Sequence, residues 1–290
     1  MQDSLEALRN RVDGAEDLQA VVRTMKALSA SSITQYEQAV EALNEYYHTV
    51  ELALMASFKK QQLLLPSVAS NKPPLNTVVI VFGTDQGLVG QFNDTLLEYV
   101  KTKLTNLQGN LKVWAVGERM RDHLLDSNIS LEGYFNVPNS VEMITSSVSE
   151  ILSATTDTWE AHSSNAMYLF HQRPSDLSVQ YEAVERRLLP LDKEWQARYQ
   201  HQPWPHNNVP EVLGNEQATL SALLREFLFV CLYQSCAESL ASENASRLAA
   251  MQRADKNIDE MLGSLKQAYH QQRQEEIDSE LFDVIASVIE

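Results

Sequence analysis

The two ends of this chain almost entirely lack the residues that break helices. No Gly or Pro occurs between Gly14 and Pro66, and from Asn215 to Glu290 the only residue of either kind is Gly263. Because Gly and Pro are the least favourable residues in a helix interior, each end predicts one long helix. At 1.5 Å per residue, the first would be ~75 Å long and the second ~114 Å long.

Each predicted helix carries an apolar seam whose members alternate three and four residues apart, as in a coiled coil. The seam positions are Tyr36, Val40, Leu43, Tyr47, Val50 and Leu54 in the first helix, and Leu220, Leu223, Phe227, Cys231, Gln234, Ala241, Ala245 and Leu248 in the second. The simplest prediction is that the two helices pair with each other, antiparallel. Two separate helical bundles are the alternative, and the scarcity of turn residues argues against them.

The middle of the chain alternates between strand-like and helix-like segments. The strand candidates are 77–82, 111–116, 129–135, 166–170 and 178–184, and the helix candidates are 94–107, 118–126 and 141–160. Strands that alternate with helices predict a mostly parallel sheet. We therefore expect an α/β fold in which a Rossmann-like α/β domain is inserted into a long antiparallel coiled coil of the N- and C-terminal helices. The expected division is a coiled-coil helix over 1–65, the α/β domain over 76–205 and a second coiled-coil helix over 212–290.

Composition narrows the possible partners. The formal net charge of −16 argues against a nucleic-acid partner, because such partners require a basic surface. No uninterrupted apolar run approaches the ~20 residues that cross a bilayer, so we expect no direct membrane insertion. The two cysteines, Cys231 and Cys236, are five residues apart on a predicted helix, so their side chains should point apart and remain unbridged.

No motif in the sequence predicts catalysis. The glycine-rich run 83–90 follows a strand, but its glycines do not have dinucleotide-binding spacing, and no phosphate-binding loop motif occurs. The histidines do not have metal-site spacing. Asp85 lies in that run without a convergent partner, so a role in stabilising a turn is the simpler interpretation. We therefore expect no catalytic residue, no cofactor and no metal site on this chain.

Three segments carry a family resemblance. Residues 241–251 read ASENASRLAAM, residues 85–93 read DQGLVGQFN, and residues 22–26 read VRTMK. Together they resemble the gamma subunit of F-type ATP synthases, and they occur along the chain in the same order as in that family. The resemblance is most specific at the C-terminal end, where Arg273, Gln274, Ile277, Glu280 and Leu281 continue it.

The resemblance implies a rotary, non-catalytic role. Gamma subunits are the central stalk within a ring of alpha and beta subunits, and their α/β foot contacts the epsilon subunit and the membrane ring of c subunits. Ion flow, of protons or of sodium, turns the stalk and drives ATP synthesis, and ATP hydrolysis turns it backwards. By this resemblance the chain would lie at the cytoplasmic face of the bacterial inner membrane, as a peripheral part of the complex.

The resemblance also assigns candidate contact residues. Arg273 and Gln274 match a family pair, the catch, that hydrogen-bonds to a beta-subunit loop. A third family position, usually Thr, is Asp278 here, so that contact loses a hydroxyl donor. Met25 matches a methionine near the beta-subunit lever, with an ordinary seam position as the alternative.

One departure from the family concerns charge. Family members usually carry several basic residues after the segment that matches Met25, whereas 27–58 contains no Lys or Arg and both helical arms are net negative. This departure suggests a divergent lineage, such as the alternate sodium-linked F-type ATPases of some bacteria. A static coiled-coil scaffold derived from the family is the alternative function, and a nucleotide-dependent enzyme built on the α/β domain is a third.

Overall fold

The computed structural model describes residues 4–60, 74, 76–156, 165–175, 181–189, 204–205, 207–208, 210 and 214–289. The helices and strands in chain order are α1 (Leu5–Lys60), β1 (Asn76–Phe82), α2 (Phe92–Leu104), β2 (Asn110–Val116), α3 (Glu118–Asp126), β3 (Leu131–Phe135), α4 (Val141–Thr156), β4 (Asn165–Pro174), β5 (Tyr181–Leu189) and α5 (Glu216–Ile289). The chain divides into two compact units, which are described separately. The large unit is Ser31–Ser246, and the small unit is Met1–Ala30 with Arg247–Glu290.

The large unit is built on a five-stranded sheet in the order β3-β2-β1-β4-β5. The pairs β1–β2, β1–β4 and β2–β3 are parallel, whereas β4 and β5 pair antiparallel. The prediction of a mostly parallel sheet is therefore confirmed. Since β1 lies between β2 and β4, the point at which the strand order reverses falls between β1 and β4.

Helices cover both faces of this sheet. On one face Val79 and Val81 of β1 pack with residues of α2 and α3, including Leu96 and Met120. On the other face the β1 side chains, such as Ile80, pack with α4 and with the long helices α1 and α5. The predicted α1 seam lies in this second core, and so do five members of the predicted α5 seam, namely Leu220, Leu223, Phe227, Cys231 and Ala241. The seam positions Gln234, Ala245 and Leu248 are not members of this core.

Within the large unit α1 and α5 run antiparallel. The Tyr46 hydroxyl donates to Glu226 Oε1 at 2.6 Å, and the rings of Tyr47 and Phe227 lie 6.2 Å apart. Tyr36 and Val50 are buried with them. The predicted helix pairing is confirmed, and separate bundles are not what forms.

The small unit consists of the N-terminal part of α1 paired with the C-terminal part of α5. Its buried apolar residues are few, namely Leu8, Ala15, Leu262 and Leu265. The pairing is again antiparallel, because Glu16 contacts Lys266 while Arg23 contacts Asp255. Much of this contact is polar.

The element bounds follow the sequence predictions closely, and the largest differences are at the C-terminal ends of β4 and β5. α1 begins at Leu5 and continues through Gly14, in agreement with the helix predicted over 1–65. β4 extends to Pro174, beyond the predicted 166–170, and β5 extends to Leu189, beyond the predicted 178–184. Residues 178–180, the predicted helical residues 157–160, and Pro66 lie outside the described residues.

Candidate functional site

The four predicted contact residues all belong to the small unit. Arg273, Gln274 and Asp278 are exposed on α5, and Met25 is partly exposed on α1. In the described part of the chain, no hydrogen bond or ion pair involves the side chains of Arg273, Gln274 or Asp278. Their donors and acceptors therefore remain available to a partner.

The three α5 residues share a helix face with exposed apolar side chains. Helix geometry places residues three, four and seven apart on one face, and the exposed apolar side chains near this face are Ile277, Leu281, Val284 and Ile285. Their exposure ranges from 47% to 60%. An exposed apolar stripe flanked by polar groups is typical of a protein-binding surface rather than of a solvated helix.

Met25 lies beside a second exposed stripe. Leu18, Val21 and Leu28 are 58%, 54% and 63% exposed on α1, and helical spacing places Met25 among them. Met25 itself is half-buried, as is Val22 of the seam, and Ser29 is buried. Met25 therefore lies at the border between the exposed stripe and the seam.

An ion network that the sequence analysis did not predict joins the two helices of the small unit. Lys26 Nζ lies 2.7 Å from Asp255 Oδ2, and Arg23 Nε lies 3.3 Å from Asp255 Oδ1. Gln19 donates to Asp259, and Arg23 also approaches Asp259. The hydrogen bond from Lys26, more than any other contact, holds the pKa of the Asp255 carboxyl below its ordinary value. Two basic residues of the family-like segment are thus already paired within the chain.

The carboxyl edge of the sheet, where doubly wound folds bind ligands, is closed by the chain's own groups. Asp85 Oδ1 accepts a hydrogen bond from the backbone N–H of Glu118 at 2.8 Å, and Oδ2 accepts one from Val137 at 2.9 Å. A carboxylate therefore occupies the N-terminus of α3, where a phosphate group would bind. Asp85 ties two loops to β1, so its role extends beyond the turn that the sequence suggested.

Helix α5 covers the reversal point between β1 and β4. Ser246 donates to the carbonyl oxygen of Val89, and Ser239 donates to that of Phe82 at 3.5 Å. Gly83 is needed for close packing, because a Cβ there would lie 2.4 Å from Met120 Cβ. The glycine-rich run thus serves helix packing at this edge.

In the described part of the chain, no group of three or more His, Cys, Asp or Glu side chains is able to hold a metal ion. By length and composition, α5 is the one described helix that could span a membrane, and 44% of its most apolar stretch is buried within the protein. Cys231 and Cys236 are unbridged, as predicted, and both are buried.

The fold and the candidate site together define an α/β protein with two long antiparallel helices and exposed apolar stripes on the small unit. Residues 4–288 match the model of the ATP-synt family, described as ATP synthase. The chain therefore belongs to this ATP synthase family.

Individual relatives and structures agree with this membership. The ATP synthase gamma chain of Pelotomaculum thermopropionicum is 24% identical over 288 residues, which is 97% of each chain. A rotor chain of the Euglena gracilis mitochondrial ATP synthase has a TM-score of 0.61 at 13% identity and covers 94% of this chain and 98% of its own. A chain from the central stalk and c-ring structure of the Tetrahymena thermophila mitochondrial ATP synthase has a TM-score of 0.59 at 18% identity. The match covers 81% of this chain and 99% of the Tetrahymena chain. At these identities the structural likeness is one of fold.

Proposed function

We propose that this chain is the gamma-type central-stalk rotor of an F-type ATP synthase, coupling ion flow through a membrane ring to ATP synthesis and hydrolysis in an alpha/beta hexamer. The observation that carries the proposal is the pair of exposed stripes on the small unit. Leu18 and Leu28 on α1, and Ile277 and Leu281 on α5, are all more than half exposed. Burying such a side chain contributes about 1.5–3 kcal/mol, so a surrounding ring of subunits is a strongly favoured environment for them.

The antiparallel helices supply the mechanical part of this role. A stalk changes the states of its neighbours only if its contacts with those states differ in free energy. The small unit presents a different surface on each side, with an apolar and polar face on α5 and an ion network between the helices. Turning such an asymmetric stalk gives each beta subunit a different set of contacts in turn.

Within that role, Arg273 and Gln274 are the proposed catch. The Arg273 guanidinium offers five N–H donors in a planar fork, and Gln274 offers both a donor and an acceptor, so the pair can engage a carboxylate and a neighbouring amide on a beta subunit. Asp278 lies one helical turn beyond Gln274 and can only accept when ionised, so it calls for a donor on the partner. Met25 is proposed to contact the beta-subunit lever.

The remaining assignments extend the same proposal. The α/β region, 76–205, is the proposed foot, which contacts the c-subunit ring and the epsilon subunit, while 1–65 and 212–290 form the proposed shaft. The chain itself is proposed to be non-catalytic, and to act at the cytoplasmic face of the bacterial inner membrane. The acidic stretch 27–58 calls for partner surfaces that are neutral or basic, because like charges would repel.

Recovery of the native complex tests the rotor role against the scaffold alternative. The complex is purified through a tag on this chain, and its subunits are identified by mass. We expect alpha, beta, epsilon and c subunits in fixed stoichiometry, with ATPase activity. A complex that lacks catalytic subunits would favour the static scaffold.

The catch is tested by the double variant Arg273→Ala with Gln274→Ala. A hydrogen bond to a charged group contributes about 1.5–3 kcal/mol, far less than burial of the apolar stripes, so the complex should assemble but turn over ATP at least severalfold more slowly. The exposed pair Gln252 and Arg253 on the same helix supplies the matched control, and its double Ala variant should turn over normally. Asp278→Thr should be tolerated. Wild-type turnover by the assembled catch variant would refute this site.

A further inference from the structure

A polar network in the large unit joins four elements at the place where both long helices meet the sheet. Glu238 of α5 accepts from His171 Nε2 of β4 at 2.8 Å and from Gln234 Nε2 at 2.8 Å. Gln234 Oε1 in turn accepts from Arg186 Nη1 of β5 at 2.9 Å. The Arg186 guanidinium lies 5.9 Å from the ring centroid of Tyr47 on α1.

Burial determines the charges in this network. It lowers the pKa of His171, and the hydrogen bond to Glu238 opposes that shift only in part. Burial acts to raise the pKa of the Glu238 carboxyl, but hydrogen bonds from His171 and Gln234 hold it below the ordinary value. We therefore assign a neutral imidazole that donates its Nε2–H to an ionised carboxylate. Among the described residues, Nδ1 of this buried ring has no hydrogen-bond partner.

The apolar contacts of α5 around the network come from few large side chains. Leu232 and Leu240 are buried there. The other buried residues of this stretch are small, namely Ser235, Cys236, Ala237, Ser239, Ala241 and Ser242. Small side chains offer few knobs to interlock with a neighbouring surface. The hydrogen bonds from Arg186 to Gln234 and from His171 to Glu238 join α5 to the sheet. A shift of one residue turns a helical side chain by about 100° and would break both of them. Buried polar groups are known to fix register in this way.

We propose that His171, Glu238, Gln234, Arg186 and Tyr47 form a register lock that positions α1 and α5 on the sheet. The consequence for torque rests on the proposed function, since a rotor must transmit load between its long helices and its sheet without slipping. These five residues are proposed to position the helices and to take no part in a chemical reaction. A groove of about 410 Å³ borders the network and is lined by Tyr47, His171, Arg186, Gln234 and Glu238, among others.

The charged and titratable groups around His171 make the lock sensitive to pH. Arg173 lies on β4, Glu185 and Arg186 on β5, and Glu238 on α5. Tyr47 and Glu51 come from α1, and the buried thiol of Cys231, whose pKa is raised to about 11, stays neutral. Since the pKa of His171 lies below its ordinary 6.5 in the folded chain, its stabilising effect is complete above about pH 6.5 and is lost as the pH falls.

The first experiment measures register directly in the full-length chain. Spin labels are attached at Glu132→Cys on β3 and Ser221→Cys on α5, both exposed positions of the large unit. The triple variant His171→Met, Arg186→Met and Glu238→Met should melt within a few degrees of wild type, because apolar replacement of a buried polar network is often nearly neutral. Its distance distribution should broaden or shift by at least the rise of one residue, about 1.5 Å.

The matched control removes the ion pair between Arg121 and Asp122 on α3, using Arg121→Met with Asp122→Met. This control should keep the narrow wild-type distribution. A triple variant that also keeps the narrow distribution would overturn the lock, because register would then come from apolar packing alone.

A second experiment uses single substitutions and the same labels from about pH 7.5 down to the lowest pH at which the wild-type chain stays folded, because burial lowers the pKa of His171 below the ordinary His value. Wild type should broaden as the pH falls, and His171→Gln should not respond. His123→Gln, at a partly exposed histidine paired with Asp94, should broaden as wild type does. An unchanged pH response in His171→Gln would overturn the proposal. Neither experiment involves partner subunits. A result that contradicts the register lock therefore does not contradict the rotor assignment, and the lock can be tested even if the rotor assignment is wrong.

Discussion

The two units of this chain are stabilised in opposite ways. In the large unit, sheet residues such as Val79 and Ile80 are completely buried, with apolar layers on both faces. In the small unit the same two helices bury few apolar side chains, and Gln19, Ser29 and the paired Asp255 lie where apolar seam residues would be expected. The difference teaches that the large unit carries its own core, whereas the small unit depends on polar pairing and on surfaces left open for partners.

The largest expected contrast comes from removing one phenyl ring in each unit. Phe170 of β4 is fully buried and lies 6.2 Å from the Tyr99 ring, so Phe170→Ala should lower the free energy of unfolding by about 3–5 kcal/mol. Phe282 is 69% exposed in the small unit, so Phe282→Ala should change it by less than about 0.5 kcal/mol in the isolated chain. Denaturant unfolding measures both. Equal losses would contradict the proposed difference between the units.

Replacing a glycine by alanine should lower the free energy of unfolding in the large unit and raise it in the small unit. Gly83→Ala places a Cβ 2.4 Å from Met120 Cβ and should destabilise by about 1–3 kcal/mol. Gly263 lies in an exposed helix interior with open space around it, so Gly263→Ala should stabilise by about 0.5–1 kcal/mol. Thermal melts of the two variants against wild type give the comparison. Stabilisation by Gly83→Ala would mean that this strand-to-helix contact is looser than described.

The smallest expected effect is local and concerns the ion network. Asp255→Asn removes the carboxylate that pairs Arg23 and Lys26, so amide hydrogen exchange should quicken in 5–30 and 247–270 and stay unchanged in the sheet. Because the pKa of Asp255 is lowered in the folded chain, its contribution is present above its ordinary value of 3.8 and is lost as the pH falls below that. Lys256→Gln, at an exposed lysine on the same helix, is the control. Faster exchange in the sheet would show that the two units do not respond separately.

Much of the fold could be predicted from the sequence because it depends on local signals. The missing helix breakers predicted α1 and α5, the apolar run of β1 predicted a buried strand, and α3 has the predicted bounds. Gly14 lies within the helix predicted over 1–65, and α1 continues through it because one exposed glycine costs a long helix only about 1 kcal/mol. The predicted strand 178–184 ends five residues before the observed end of β5. β5 is an edge strand whose residues are mostly half-buried, so its sequence has no strong apolar pattern that marks the C-terminal end.

The contacts between distant residues could not be predicted in this way. Lys26 and Asp255 meet only through the register of two helices, and Arg186 meets Gln234 only through the pairing of β4 with β5. No local pattern encodes either register. The candidate site could be predicted in part. The family resemblance pointed to Arg273 and Gln274, and the structure adds the exposed apolar stripe beside them.

A rotor must turn relative to the alpha and beta subunits while ATP is hydrolysed, and this rotation can be measured. The purified complex is immobilised through the hexamer, and a probe is attached to the sheet at Glu132→Cys, an exposed position of the large unit. A rotor predicts ATP-dependent rotation of the probe in one direction, which stops when ATP is withdrawn. An active complex in which the probe stays fixed while ATP is hydrolysed would contradict the rotor assignment and favour a static scaffold.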